Sequence, residues 1–196
     1  MTPGQIHTWF PKSIYMVDEL LVDQLPDYET RIKYLLSNVD SWRTDMLNVD
    51  STWDRSEKLH KDPVFKDLVD AINAHTKIFI KELGFNDAFA NKLKIDNMWG
   101  NVSGDGDFLF PHVHTHSILS GAFYIKKCPD SKIKFFNDLG DMFPEPHVTN
   151  QLNYKFCEYP CDPGRLIMFK SDLLHGTGKQ SAGEKIVISF NISNNN

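Results

Sequence analysis

Two segments in the first half of the chain carry apolar residues at the spacing of an amphipathic helix. The first, PDYETRIKYLLSN over residues 26–38, has Pro26 and Asp27 as start signals. In the second, Asp62 can cap the helix, Pro63 fits the first turn and Gly84 ends it. One apolar stripe follows this second segment, formed by Val64, Phe65, Leu68, Val69, Ile72, Phe79, Ile80 and Leu83. The pattern predicts a mostly helical part over residues 1–91.

The pattern changes from about Lys92 onward. Short apolar runs rich in β-branched and aromatic residues are separated there by Gly, Pro, Asp and Asn. Five runs have strand length: KLKIDNMWGNV (92–102), ILSGAFYIKK (118–127), KIKFF (132–136), GRLIMFK (164–170) and EKIVISFNIS (184–193). Helices followed by many short strands predict an antiparallel sandwich or barrel with the helices packed on one face. We therefore expect a mainly β protein with α-helices, in a single domain over residues 1–196 whose β core spans 92–196.

The last predicted strand differs on its two faces. Side chains two residues apart on a strand point the same way, so one face carries Lys185, Val187, Ser189 and Asn191. The other face is apolar throughout, with Ile186, Ile188, Phe190 and Ile192. A face that carries a cation and polar groups is expected to line a pocket for an anion.

Composition and charge narrow the function classes. A 41% hydrophobic content supports an ordinary core, and a net charge of −5 argues against a duplex nucleic acid partner. No apolar run reaches the roughly 18 residues of a membrane span, and the first residues lack the pattern of a secretory signal. Three cysteines, an odd number, form no disulfide framework. These features predict a cytoplasmic protein that binds no membrane.

The stretch PHVHTHSILSG places three histidines at alternate positions. His112, His114 and His116 would share one face of a regular strand, and two imidazoles spaced i, i+2 can chelate one metal ion. A third ligand must then come from elsewhere. The best candidate is His175, which follows a predicted strand and sits beside Gly176 and Gly178, where backbone can approach a ligand closely. The spacing alone leaves open a frame in which His114 and His116 form the pair.

The motifs HVHTHSILSGAFYI, PGRLIMFKSDLLH and KIVISFN, in this order, resemble the 2-oxoglutarate- and Fe(II)-dependent oxygenases. They are most similar to small bacterial and phage members of that superfamily, over roughly residues 92–193. The resemblance implies a double-stranded β-helix and a metal site at His112, His114 and His175. It also implies that Lys185 binds the far carboxylate of 2-oxoglutarate, and that Tyr124 and Ser189 face this cosubstrate.

The implied reaction uses Fe(II), O₂ and 2-oxoglutarate. The cosubstrate is converted to succinate and CO₂ while a substrate is oxidised, in a hydroxylase by insertion of oxygen into a C–H bond. The substrate itself is unknown: a small metabolite or a protein side chain fits equally.

Two positions depart from the superfamily pattern. His114 stands where a carboxylate is usual, so the ligand set lacks one negative charge. On the last strand, Lys185 and Val187 stand where Arg and Ser are common. Lys supplies the charge without the two-pronged fork of Arg, and Val supplies no hydroxyl.

Other interpretations stay open on the residues alone. A cupin-type metal dioxygenase or isomerase also uses several histidines on a small barrel, without 2-oxoglutarate. A metal-binding barrel that has lost turnover is the non-enzymatic alternative. The helical part leaves room for a lid or for the interface of a homodimer.

Overall fold

In a computed structural model of the chain, residues 4–37, 49–53, 58–137 and 144–194 are described. The helices in these ranges are α1 (Leu25–Ser37), α2 (Lys66–Glu82) and α3 (Asp87–Ala90). The strands are β1 (Ile14–Val17), β2 (Asp50–Ser51), β3 (Leu93–Ser103), β4 (Leu119–Lys126), β5 (Lys132–Phe136), β6 (Phe156–Pro160), β7 (Leu166–Lys170), β8 (His175–Thr177) and β9 (Lys185–Asn194). The mainly β composition with helices is as predicted.

Both predicted helices form. In α1 the buried positions are Leu25, Tyr28, Ile32 and Leu35, one face of a helix; the last residue of the predicted segment, Asn38, lies outside the described residues. Before α2, the side chain of Asp62 accepts from the N–H of Val64 over 3.0 Å and Pro63 begins a short 3₁₀ turn. Gly84, with φ of +86°, ends the helical segment in the left-handed conformation that glycine adopts readily.

The strands form two antiparallel sheets. The larger has the order β1-β7-β4-β9-β3-β2, and the smaller has the order β6-β5-β8. All five predicted strands are present, whereas β1, β2, β6 and β8 were not predicted. Because β1 pairs with β7 and β2 pairs with β3, the N-terminal part of the chain adds a strand to each edge of the larger sheet.

The helices cover one face of the larger sheet. The apolar side chains of β9 (Ile186, Ile188, Phe190 and Ile192) pack there with residues of α1 and α2 in one buried core. Tyr15 of β1 joins the edge of the sheet to α2, since its hydroxyl lies 2.9 Å from Nδ1 of His75. Lys33 of α1 and Lys126 of β4 both form ion pairs with Glu29 and Glu184 at the surface of the same layer.

A second core fills the space between the two sheets. Its members come from β4, β5, β7, β9 and neighbouring loops: Ala122, Tyr124, Ile133, Phe135, Cys161, Ile167, Phe169, Leu173 and Val187. The candidate site opens into this second core.

No helix among the described residues is long and apolar enough to cross a membrane.

Candidate metal centre

Backbone pairing brings the two histidine segments together. The N–H of His112 donates to the carbonyl of His175 over 2.9 Å, and the N–H of His175 donates back over 3.0 Å. A Cβ on Gly176 would lie 2.8 Å from the carbonyl oxygen of Leu109. Gly176 therefore allows the backbone of residues 109–111 to approach β8. Gly176 also lines the pocket, so a close approach of its backbone to a ligand stays a prediction.

His112, His114 and His175 converge on one point. Each offers a ring nitrogen, and these nitrogens lie within 4.8 Å of one another. Two nitrogens bound to one ion at about 2.1 Å are at most about 4.2 Å apart, so small side-chain rotations bring all three onto a single ion. The rings of His112 and His175 are nearest, with centroids 4.4 Å apart.

His116 is not a member of this cluster. The expectation of one regular strand from His112 to His116 is wrong, because Thr115 and His116 lie in a turn in which the N–H of Ser117 approaches the carbonyl of His114 over 3.4 Å. The turn leaves His116 exposed. The alternate spacing in the sequence therefore does not correspond to three imidazoles on one face.

Hydrogen bonds orient the clustered imidazoles. Nδ1 of His112 lies 2.7 Å from the carbonyl oxygen of Phe110, and Nδ1 of His175 lies 2.8 Å from that of Leu173. A carbonyl only accepts, so each Nδ1 carries the proton and each Nε2 keeps a free lone pair. His114 is held differently, by a hydrogen bond with the side chain of Asn191. Such outer contacts commonly fix the tautomer of metal-binding histidines.

Burial keeps two of these imidazoles neutral. Desolvation, with a smaller contribution from His112, lowers the pKa of His114 to about 4. The same causes lower the pKa of His175 to about 3. Neutral imidazole is the form that binds a metal ion, so the donor set suits a divalent transition metal.

The other end of the pocket holds a buried cation. Lys185 keeps only 3% of its surface exposed. Burial lowers the pKa of Lys185, against the opposing influence of Cys161, Cys128 and Asp107. Tyr124 is fully buried beside Cys161, and burial raises the pKa of Tyr124 above its ordinary value. A buried cation that lines a pocket is suited to bind an anionic ligand.

The strand register sets the order of the residues along the pocket floor, from the histidines at one end to Lys185 at the other. Asn191, which contacts His114, is opposite Ser120 of β4. Farther along β9, Ser189 lies between Ala122 of β4 and Trp99 of β3, and Val187 lies between Tyr124 and Asn101. Lys185 comes last, opposite Ser103. The polar face predicted for the last strand thus runs from the histidines to the lysine.

All six side chains proposed from the sequence line this one pocket: His112, His114, His175, Lys185, Tyr124 and Ser189. Aromatic and apolar groups complete its wall, among them Trp99, whose ring stacks on His114 with centroids 6.1 Å apart. Phe169 packs against His175 with centroids 4.5 Å apart. The sequence placed Asn191 on the polar face of the last strand but did not indicate its contact with His114, nor that of Cys161 with Tyr124, because these contacts exist only once distant strands pair.

Comparison with known proteins indicates the class of protein. Residues 97–191 match the profile of a family described as "Putative 2OG-Fe(II) oxygenase". The fold is similar to that of a Pseudomonas putida prolyl-4-hydroxylase, with a TM-score of 0.67, 10% identity and 94% of each chain covered. No curated protein sequence matches the chain.

Two further solved structures share the fold. One is the viral collagen prolyl hydroxylase of Paramecium Bursaria Chlorella virus-1 in complex with 2-oxoglutarate, with a TM-score of 0.60, 14% identity, and 91% of this chain and 94% of that chain covered. The other is HygX of Streptomyces hygroscopicus with nickel and 2-oxoglutarate bound, with a TM-score of 0.61, 11% identity, and 93% and 83% covered.

The profile match over residues 97–191 supports the activity of a 2-oxoglutarate- and Fe(II)-dependent oxygenase, and the solved structures share the fold. The protein is accordingly an oxidoreductase of the dioxygenase type. It uses Fe(II), 2-oxoglutarate and O₂.

Proposed function

We propose that the protein is a hydroxylase whose iron is held by His112, His114 and His175. The single observation that carries this assignment is the convergence of three imidazoles whose ring nitrogens lie within 4.8 Å of one another. When bound, Fe(II) with O₂ and 2-oxoglutarate supplies the oxidative decarboxylation that yields succinate and CO₂ and oxidises a substrate C–H bond. The substrate is a small metabolite or a protein side chain that enters from the histidine end.

Lys185, Tyr124 and Ser189 bind 2-oxoglutarate in this proposal. The buried ammonium of Lys185 receives the far carboxylate, and Tyr124 and Ser189 lie on the floor between that cation and the histidines. Leu109, Ile133 and Phe169 exclude water from the same pocket. A dry pocket strengthens the attraction between the ammonium and the carboxylate.

The two sheets are, on this proposal, the two halves of a double-stranded β-helix in one domain over residues 1–196. The β-bridge between His112 and His175, at the free edge of β8, supports this arrangement. The order of the motifs along the chain also supports a place among the small bacterial and phage members of the superfamily.

Anaerobic titration with Fe(II), followed by 2-oxoglutarate, tests the ligand assignment. His112→Ala and His175→Ala should each weaken Fe(II) binding at least about tenfold, because each removes one of three ligands. His116→Ala is the matched control, since it removes a neighbouring imidazole that points away from the cluster. If His116→Ala lost the metal while His112→Ala kept it, the ligand assignment would be wrong.

Succinate formation separates the hydroxylase from the alternatives. With Fe(II) and O₂ present, the wild-type protein should convert 2-oxoglutarate to succinate slowly even without substrate. A cupin-type enzyme or a non-catalytic barrel should form no succinate. Failure of the iron-loaded protein to bind 2-oxoglutarate at all would overturn the proposal.

A further inference from the structure

Asn101 carries a buried polar atom without a partner. Its Nδ2 donates to Oγ of Ser189 over 3.2 Å, whereas its Oδ1 has no hydrogen-bond partner among the described residues. The side chain lines the pocket and keeps 3% of its surface exposed. A buried acceptor left unpaired costs stability, so this group calls for an explanation in terms of a ligand.

The position of Asn101 is informative. It lies directly across from Val187, and Tyr124 lies across from Val187 on the other side. The side chain of Val187 offers no hydrogen bond. Tyr124 and Asn101 are therefore the polar side chains that flank this point of β9.

The contact between Asn101 and Ser189 permits two orientations of the amide. Rotation by 180° exchanges Nδ2 and Oδ1, and a hydroxyl can donate as well as accept. Ser189 then donates to Oδ1, and the NH₂ group takes the place that faces the pocket. No described contact of Oδ1 opposes this rotation.

The chemistry of the ligand decides between the two orientations. A dicarboxylate such as 2-oxoglutarate offers only acceptors at neutral pH, so it cannot satisfy Oδ1 but can accept from Nδ2. Lys185, the buried cation of the same pocket, is the group that would place such an anion there.

We propose that Asn101 binds the cosubstrate: its amide, rotated against Ser189, donates a hydrogen bond to 2-oxoglutarate beside Lys185, in place of the hydroxyl that Val187 lacks. This inference rests on the proposed function, because it requires 2-oxoglutarate to occupy the pocket. It adds a binding residue that contributes no charge and makes no contact with the metal ligands.

Calorimetric titration of 2-oxoglutarate into the Fe(II)-loaded protein under anaerobic conditions tests the inference without turnover. Asn101→Ala should weaken 2-oxoglutarate binding roughly ten- to a hundredfold, the usual effect of losing a hydrogen bond to a charged group. Asn101→Asp should weaken it further, because a carboxylate repels the anion. Affinity for Fe(II) should stay within about twofold in both variants.

Two further variants sharpen the result. Asn97→Asp places the same charge on the same strand outside the pocket lining and keeps the acceptor for the N–H of Met98, so 2-oxoglutarate affinity should not change. Val187→Ser in the Asn101→Ala background should restore part of the lost affinity, since it supplies a donor at the adjacent point. A purely structural role for Asn101 predicts no such rescue.

The outcomes distinguish the two proposals. If wild-type protein binds 2-oxoglutarate and Asn101→Ala binds it equally well, the inference is overturned while the proposed function stands; Oδ1 would then serve a donor on the substrate. If wild-type protein loaded with Fe(II) does not bind 2-oxoglutarate, the proposed function fails and the inference fails with it. Should Asn101→Asp not fold, the uncharged Asn101→Ala and its rescue decide the matter.

Discussion

Lys185 illustrates how a single residue can trade stability for binding. A lysine that is almost fully buried loses most of its hydration, and this costs stability. Lowering of its pKa by burial expresses the same cost, since the charged form is the one that burial disfavours. On the proposed function, binding of an anion by the ammonium offsets this cost.

Lys185→Met should therefore stabilise the protein without ligands while abolishing cosubstrate binding. Methionine fills a similar volume without a charge, and we expect the free energy of unfolding to rise by about 1–3 kcal/mol. Urea unfolding of the metal-free protein measures this gain, and titration with 2-oxoglutarate measures the loss. Lys134→Met is the control, because Lys134 is partly exposed and paired with Glu158. A lower stability for Lys185→Met would mean that the native lysine has a stabilising partner.

At the scale of elements, the site depends on how closely residues 109–112 lie against β8. The backbone pairing of His112 with His175 sets the distance between two ligands before any side chain rotates. Gly176 permits that approach, because a Cβ there would meet the chain at Leu109 and Pro111. Neither fact is visible in the sequence, where β8 is only three residues long and has no periodicity.

Gly176→Ala should consequently impair the metal site. The added methyl group displaces residues 109–111 and moves His112 away from His175, so we expect Fe(II) affinity to fall at least about tenfold and stability to fall by about 1–3 kcal/mol. Gly178→Ala is a matched control two residues on, where the Cβ meets only Cε of Lys134 at 3.7 Å. Equal Fe(II) binding by the two variants would show that the close approach does not position His112.

The contact between β1 and α2 makes the stability of the protein dependent on pH. Burial lowers the pKa of His75, whose ring is joined to Tyr15. A base with a lowered pKa in the folded state binds fewer protons than the unfolded chain, so stability decreases as pH falls from about 6.5 toward the lowered value and is unaffected above that range. The free energy of unfolding, followed between pH 7.5 and pH 5 in steps of about half a unit, should fall less steeply in His75→Gln. An unchanged slope in that variant would contradict this assignment.

At the scale of the whole molecule, the sequence predicts features that repeat along the chain, whereas contacts between distant residues require the structure. The alternation of β9 and the stripe of α2 are local, so the strand, the helix and the apolar faces follow from residue order. The candidate metal ligands could also be predicted from the sequence, because the H-x-H pair and His175 are histidines at recognisable positions. Three features depend on partners far along the chain and required the structure. They are the turn at Thr115 and His116, the contact of Asn191 with His114, and the Oδ1 of Asn101 that lacks a hydrogen-bond partner among the described residues.

Alternate side chains of β9 point in opposite directions, one set toward the helix-facing core and the other toward the pocket. This alternation alone separates the two regions. A slip of one residue in its pairing would turn Lys185 and Ser189 toward the helices and expose the isoleucines to the pocket. Such a misaligned sheet would bury a charge among hydrocarbon groups and lose the core at once. The polar residues proposed to bind the cosubstrate thus also disfavour the misaligned register, and a variant that made this face apolar would make that register accessible.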